Sequence, residues 1–141
     1  MKFVPLLILS ALLASLAACA PRDEREIRGV IDDVERAAEA RDAARVLSYL
    51  DERVLVQPRE LDHAELSRLL PSVFEANPVV RLSVDVVEVR VNGDNAEADL
   101  DVRGIGLAEA GPGRKVRMTA HLVRQPGGWK IDLVNISRGA R

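Results

Sequence analysis

At Asn77-Pro78 the spacing of apolar residues changes. Upstream they return every three or four positions; downstream they return every second one. A helix repeats its faces every 3.6 residues and a strand every 2, so the two halves cannot share one kind of element. The chain must place helices first and strands after them, and bury the apolar side of one layer against the other.

Three helices are expected upstream. Ile27, Val30, Ile31, Val34, Ala37 and Ala38 share one face of the first, with Asp23 and Glu26 spaced as a capping box. Asp42 is placed to cap a second helix carrying Val46, Leu47, Leu50 and Val54 on its inner face. Asp62 and Glu65 repeat the box for a third, striped by Leu66, Leu69, Leu70, Val73 and Phe74. Pro71 has no N–H to donate and should kink or restart that helix.

Four strands are expected downstream. In "VVRLSVDVVEVRV" Val80, Leu82, Val84 and Val86 share a face, and the phase then slips to Val87, Val89 and Val91. A β-bulge near Val86-Val87 would absorb the slip. Asn92-Gly93 signals a hairpin; as a two-residue loop it sets Val87 opposite Ala98 and, past the bulge, Val84 opposite Leu100. The second strand turns Ala96, Ala98, Leu100 and Val102 inward. After the loop "GLAEAGPGR" the third does the same with Val116, Met118, Ala120 and Leu122. Pro126-Gly127 leads to the fourth, with Trp129, Ile131 and Leu133 inward. That turn sets Leu122 opposite Ile131, and His121 opposite Asp132 on the other face. The fold class is α+β, three N-terminal helices packed on a curved four-stranded antiparallel sheet.

The N-terminal segment carries an address. Met1-Lys2 opens it with a positive charge, "FVPLLILSALLASLAA" follows, and the charged run "PRDER" comes directly after Cys19-Ala20. The apolar run is too short for a membrane-spanning helix of about 20 residues and has the layout of a secretory signal peptide. Leu16-Ala17-Ala18-Cys19 resembles the bacterial lipobox, in which the cysteine is lipidated and becomes the first residue of the mature chain. This resemblance gives the only cysteine a use, where an unpaired thiol would otherwise stand in an oxidising compartment. It implies a signal peptide over 1–18, a lipidated anchor over 19–23 and a domain over 24–138. The membrane is then a partner through Cys19, on the periplasmic side of the envelope. Ala20, standing where an Asp would signal inner-membrane retention, implies the outer membrane.

The order of elements, with "AAEARDAARVLSYLD", "ELSRLLPSVFEAN", "VRVNGDNAEADL" and "GGWKIDLVNIS", resembles the nuclear transport factor 2-like superfamily. The resemblance implies a cystatin-like cone of helices against a curved sheet. It also brings a range of activities, from isomerases, cyclases and dehydratases to transport adaptors, among which a fold cannot choose.

Enzymes of that superfamily hold acid and base groups inside the cone, on the concave sheet face. Here that face reads as Ala, Val, Leu, Ile, Met and Trp, with no carboxylate, histidine or tyrosine. The favoured function is therefore a non-catalytic small-molecule-binding or adaptor domain. The alternatives are an enzyme-like cone acting on a small apolar substrate, and a dimeric structural partner in an envelope assembly. No catalytic residue, cofactor or metal site is assigned, since two histidines on different elements have no ligand spacing. A formal net charge of −2 argues against nucleic acid. Aromatics at 3% leave little for a stacking platform. Should the cone be hollow, Tyr49, Phe74, Ala98, Met118, Ala120 and Trp129 are its expected lining. On the outer face Thr119, His121, Val123, Asp132, Val134 and Ile136 form the expected patch for a homodimer or an envelope partner.

Overall fold

The computed structural model describes the backbone of residues 4–105 and 115–137 and the side chains of residues 21–104 and 115–137. The "GLAEAGPGR" loop and the Cys19 side chain fall outside those described. The helices are α1 (Val4–Glu39), α2 (Ala43–Ser48) and α3 (His63–Ala76). The strands are β1 (Leu50–Gln57), β2 (Leu61–Asp62), β3 (Arg81–Asn92), β4 (Asn95–Ile105), β5 (Lys115–Gln125) and β6 (Gly128–Ser137). They form one six-stranded sheet in the order β2-β1-β6-β5-β4-β3. The sheet is mixed, because β1 runs parallel to β6 while every other pair is antiparallel.

This corrects the expected four antiparallel strands. The second helix ends at Ser48, where Tyr49 caps it, and the chain continues as strand from Leu50. Leu50 and Val54 are spaced four apart as on a helix, but Leu50 pairs with Ile131 and Val56 with Val134 on β6. Asp42 caps α2 as expected, its carboxylate accepting from the Arg45 N–H at 3.1 Å. The capping box of α3 also forms, with Asp62 Oδ1 accepting from Glu65 N at 2.9 Å and Glu65 Oε2 from Asp62 N at 3.0 Å. Asp23 is no cap, because α1 runs through it. α3 runs unbroken through Pro71.

The bulge in β3 lies where the phase slips. Val86 pairs with Leu100 and Glu88 with Asp99, so Val87 is the extra residue, and it is 51% exposed. The hairpin turn comes one residue later than expected. Asn92 pairs with Asn95, leaving Gly93-Asp94 as the loop with Gly93 at φ 61°. Only glycine takes that conformation freely. The later turn moves the register by two, so Val84 faces Val102 and Val89 faces Ala98.

Reading across the paired strands, whole rows of the inner face are apolar. Val91, Ala96, Leu122, Ile131 and Leu50 make one row; Val89, Ala98, Ala120 and Val134 make the next. α1 lies on them through Ile27 and Ile31. Ile27 and Leu122 are 0% exposed. A second cluster, Ala37, Val46, Phe74 and Val80, closes the other end of the domain, where α2 and α3 meet the end of α1.

Candidate functional site

Four of the six expected pocket residues gather in one cluster, and Phe74 and Tyr49 stand apart from it. Ala98, Ala120 and Trp129 are buried in the cluster under α1, with Met118 packed against it. Phe74 belongs to the second cluster. Tyr49 ends α2, and its hydroxyl donates to Asp33 Oδ2 at 3.1 Å. Small alanines on the sheet do not leave a space here, because the isoleucines of α1 occupy it.

Two hollows among the described residues open on the surface instead. One lies between the middle of α1 and the β5–β6 hairpin, lined by Arg22, Asp23, Glu26, Arg124, Gln125 and Trp129 among others. Arg124 organises it. Its Nη2 donates to Asp23 Oδ2 at 2.7 Å and its Nε to Asp94 Oδ1 at 3.2 Å. Its guanidinium also lies over the Trp129 ring, 4.5 Å from the centroid. Stacking of this kind suits the planar cation and the indole face. The Arg124 guanidinium holds the buried Asp23 carboxyl below the usual carboxylate range. Trp129 is 2% exposed, and among the described residues its Nε1–H has no hydrogen-bond partner. The second hollow is lined by Asp33, Arg36, Ala37, Ala40, Asp42 and Arg45. Asp33 is held below its usual range first by Arg36, whose Nη2 donates at 2.6 Å, and then by the Tyr49 hydroxyl.

The outer sheet face is a lattice of charges. Arg90 donates to Glu88, Glu97 and Asp99, and Thr119 Oγ1 donates to Asp99 Oδ1 at 3.0 Å. Asp101 is only 8% exposed and takes both Arg117, through Nε and Nη2, and Lys115 Nζ at 3.0 Å. His121 Nδ1 lies 2.5 Å from Asp132 Oδ1, so the two meet as expected. The register is different, however: His121 pairs with Leu133, because a bulge in β6 leaves Asp132 unpaired.

That bulge overturns part of the expected outer patch. Past Asp132 the parity of β6 reverses, so Val134 pairs with Ala120 and Ile136 with Met118 on the inner face, and Val134 packs against the core. Leu133, expected inward, shares the outer row with His121 and, across β6, with Leu55. Thr119, His121 and Val123 stay on the outer face, opposite Asp99, Glu97 and Asn95. Sequence reasoning named Asp23 only as a helix cap and missed Asp33 and Arg124. The first and last of these stand at opposite ends of the described domain sequence, and no local pattern joins them. Among the described residues no three His, Cys, Asp or Glu side chains gather as a metal site requires.

Asp101 gives a pH prediction. Arg117 first, then Lys115, hold its carboxyl below 3.8. A depressed folded-state value stabilises the fold above the unfolded value and loses that contribution as pH falls through the folded one. Asp101→Asn should therefore lower the urea midpoint at neutral pH, and the gap to wild type should close as the pH falls below about 4. A gap that stays constant with pH would show that the carboxylate charge is not its source.

The model of the SnoaL-like domain matches residues 27–139, from the first core isoleucine of α1 to beyond β6. The chain belongs to the SnoaL-like domain family. No curated protein matches it. Among solved structures, a candidate dehydratase of the nuclear transport factor 2-like family from Streptomyces avermitilis is similar at TM-score 0.71 and 20% identity, covering 86% of this chain and 99% of that one. A domain of unknown function with a cystatin-like fold from Nostoc punctiforme aligns at TM-score 0.68 and 18% identity, over 85% and 79%. A candidate aromatic ring hydroxylase from Novosphingobium aromaticivorans aligns at 0.63 and 18%, over 85% and 91%. At these identities the likeness is one of fold. The SnoaL-like chain thus has the α+β cone that the order of its elements suggests, with β1 and β2 as the strands that order did not reveal.

Proposed function

We propose that this chain is an envelope protein held on a membrane, the outer one by its Ala20, through lipid on Cys19. Its SnoaL-like domain is a non-catalytic binding or adaptor domain. The observation that carries the second part is the inner sheet face. Its rows are apolar from edge to edge, and Ile27 and Ile31 of α1 fill the space above them. A general acid or base must stand within hydrogen-bond reach of its substrate, and the residues of that buried cluster offer neither. Binding then falls to the surface, at the Arg124 hollow or on the outer face. The anchor rests on Leu16-Ala17-Ala18-Cys19 after an apolar run.

Cys19→Ser is expected to move the protein from the membrane fraction to the soluble fraction or to leave it unprocessed, and to remove the acyl mass from the N-terminus. Mass spectrometry and fractionation of both forms read this directly. A serine variant processed and retained like wild type would overturn the anchor.

A second reading is favoured by Leu133, Leu55 and Val123. They place apolar side chains among the charges of the outer face, as an interface between two copies would need. The partner is then a second copy of this chain.

A further inference from the structure

The anchor and the fold together constrain how the domain stands on its membrane. Asp23 follows Cys19 by four residue steps. Fully extended they reach at most about 14 Å, and as continued helix about 6 Å. Asp23 is not free to wander, because its carboxylate is tied to Arg124 at 2.7 Å and is mostly buried. Arg124 is in turn tied to the β3–β4 turn twice, its backbone N–H donating to Asp94 O at 2.8 Å and its Nε to Asp94 Oδ1. The start of the folded domain and the β3–β4 and β5–β6 hairpin turns are therefore one end of the molecule. Ala37, Phe74, Val46 and Val80 form the other end, about 21 Å further along α1, from Asp23 to Ala37.

We infer that the domain stands end-on, with the Gly93-Asp94 and Pro126-Gly127 turns against the lipid headgroups and the α2–α3 end directed away. This rests on the reading of Cys19 as the lipid anchor. No flexible spacer intervenes to let the domain turn over, and the tips carry small residues that permit close approach. The Arg124 hollow faces the bilayer surface, and whatever docks on α3 does so from the aqueous side.

The test uses the acylated, processed chain in vesicles of phosphatidylethanolamine and phosphatidylglycerol containing a nickel-chelating lipid as quencher. One fluorophore is placed through Gly127→Cys, where an added Cβ meets nothing within 4 Å, or through Glu75→Cys on the exposed surface of α3. Quenching at position 127 should exceed that at position 75 at least about threefold, given the separation along α1. Equal quenching, or more at 75, on a chain that floats with the vesicles and carries the acyl mass on Cys19 would overturn the end-on orientation and leave the anchor standing. A chain with neither the mass nor the flotation would overturn the anchor, and the orientation with it.

Discussion

Ile27→Ala is expected to lower the free energy of unfolding by about 3 kcal/mol, a loss of more than a hundredfold in the folding equilibrium. Ile27 has no exposed surface and sits over Ala96, Ala98, Ala120 and Leu122 in the cluster that joins α1 to the sheet. Removing three carbons there costs their transfer from water and leaves a cavity walled by strands that are hydrogen-bonded on both sides and cannot close in. Urea denaturation of the domain should show a lower midpoint with an unchanged slope. A cost below about 1 kcal/mol would mean that the site collapses around the alanine, so that the layers are less firmly packed than Leu122 at 0% exposure indicates. The same variant bears on function, since a hollow made this way is the apolar pocket that the native cone fills with its own side chain.

Val134→Asp is expected to cost about 3 kcal/mol, whereas Leu133→Asp, one residue away, should leave the fold nearly intact. The difference comes from the Asp132 bulge. Val134 stands opposite Ala120 on the inner face and packs on the core, so an aspartate there is a charge placed among valines and alanines without a partner. Leu133 stands opposite His121 on the outer face, within reach of water. If two copies meet on that face, Leu133→Asp should abolish the dimer in analytical ultracentrifugation while the thermal transition remains. A wild-type chain that sediments as a monomer at every concentration would remove the second-copy reading. Thermal melts that rank the two variants in the opposite order would show that β6 keeps one phase along its whole length.

The inner rows were legible because their cause is local. Alternation from Val80 to Val102 and from Val116 to Ile131 places one apolar face on the sheet, and the adjacent pair Val86-Val87 marks its bulge. The pair Leu133-Val134 marks the second bulge in the same manner, and its meaning became clear only with Val134 opposite Ala120. β1 was not legible. In "LDERVLVQ" Leu50 and Val54 have helical spacing, and the strand exists because β6 offers it a parallel partner about eighty residues away. Tertiary pairing decides such segments against their own pattern. The surface hollows were hidden for the same reason. Asp23 with Arg124, and Asp33 with Tyr49, are joined by the way α1 lies on the sheet and against the end of α2, and nothing in the neighbourhood of either residue announces the other.

The parallel pairing of β1 with β6 also governs when this chain can fold. β1 is flanked only by the two-residue β2 and by β6, the last strand described. β1 therefore lacks its lasting sheet partner until Gly128–Ser137 has been made. A nascent chain of this design cannot complete its sheet as it emerges: the β2–β1 edge joins only in a late event, once β6 is in place.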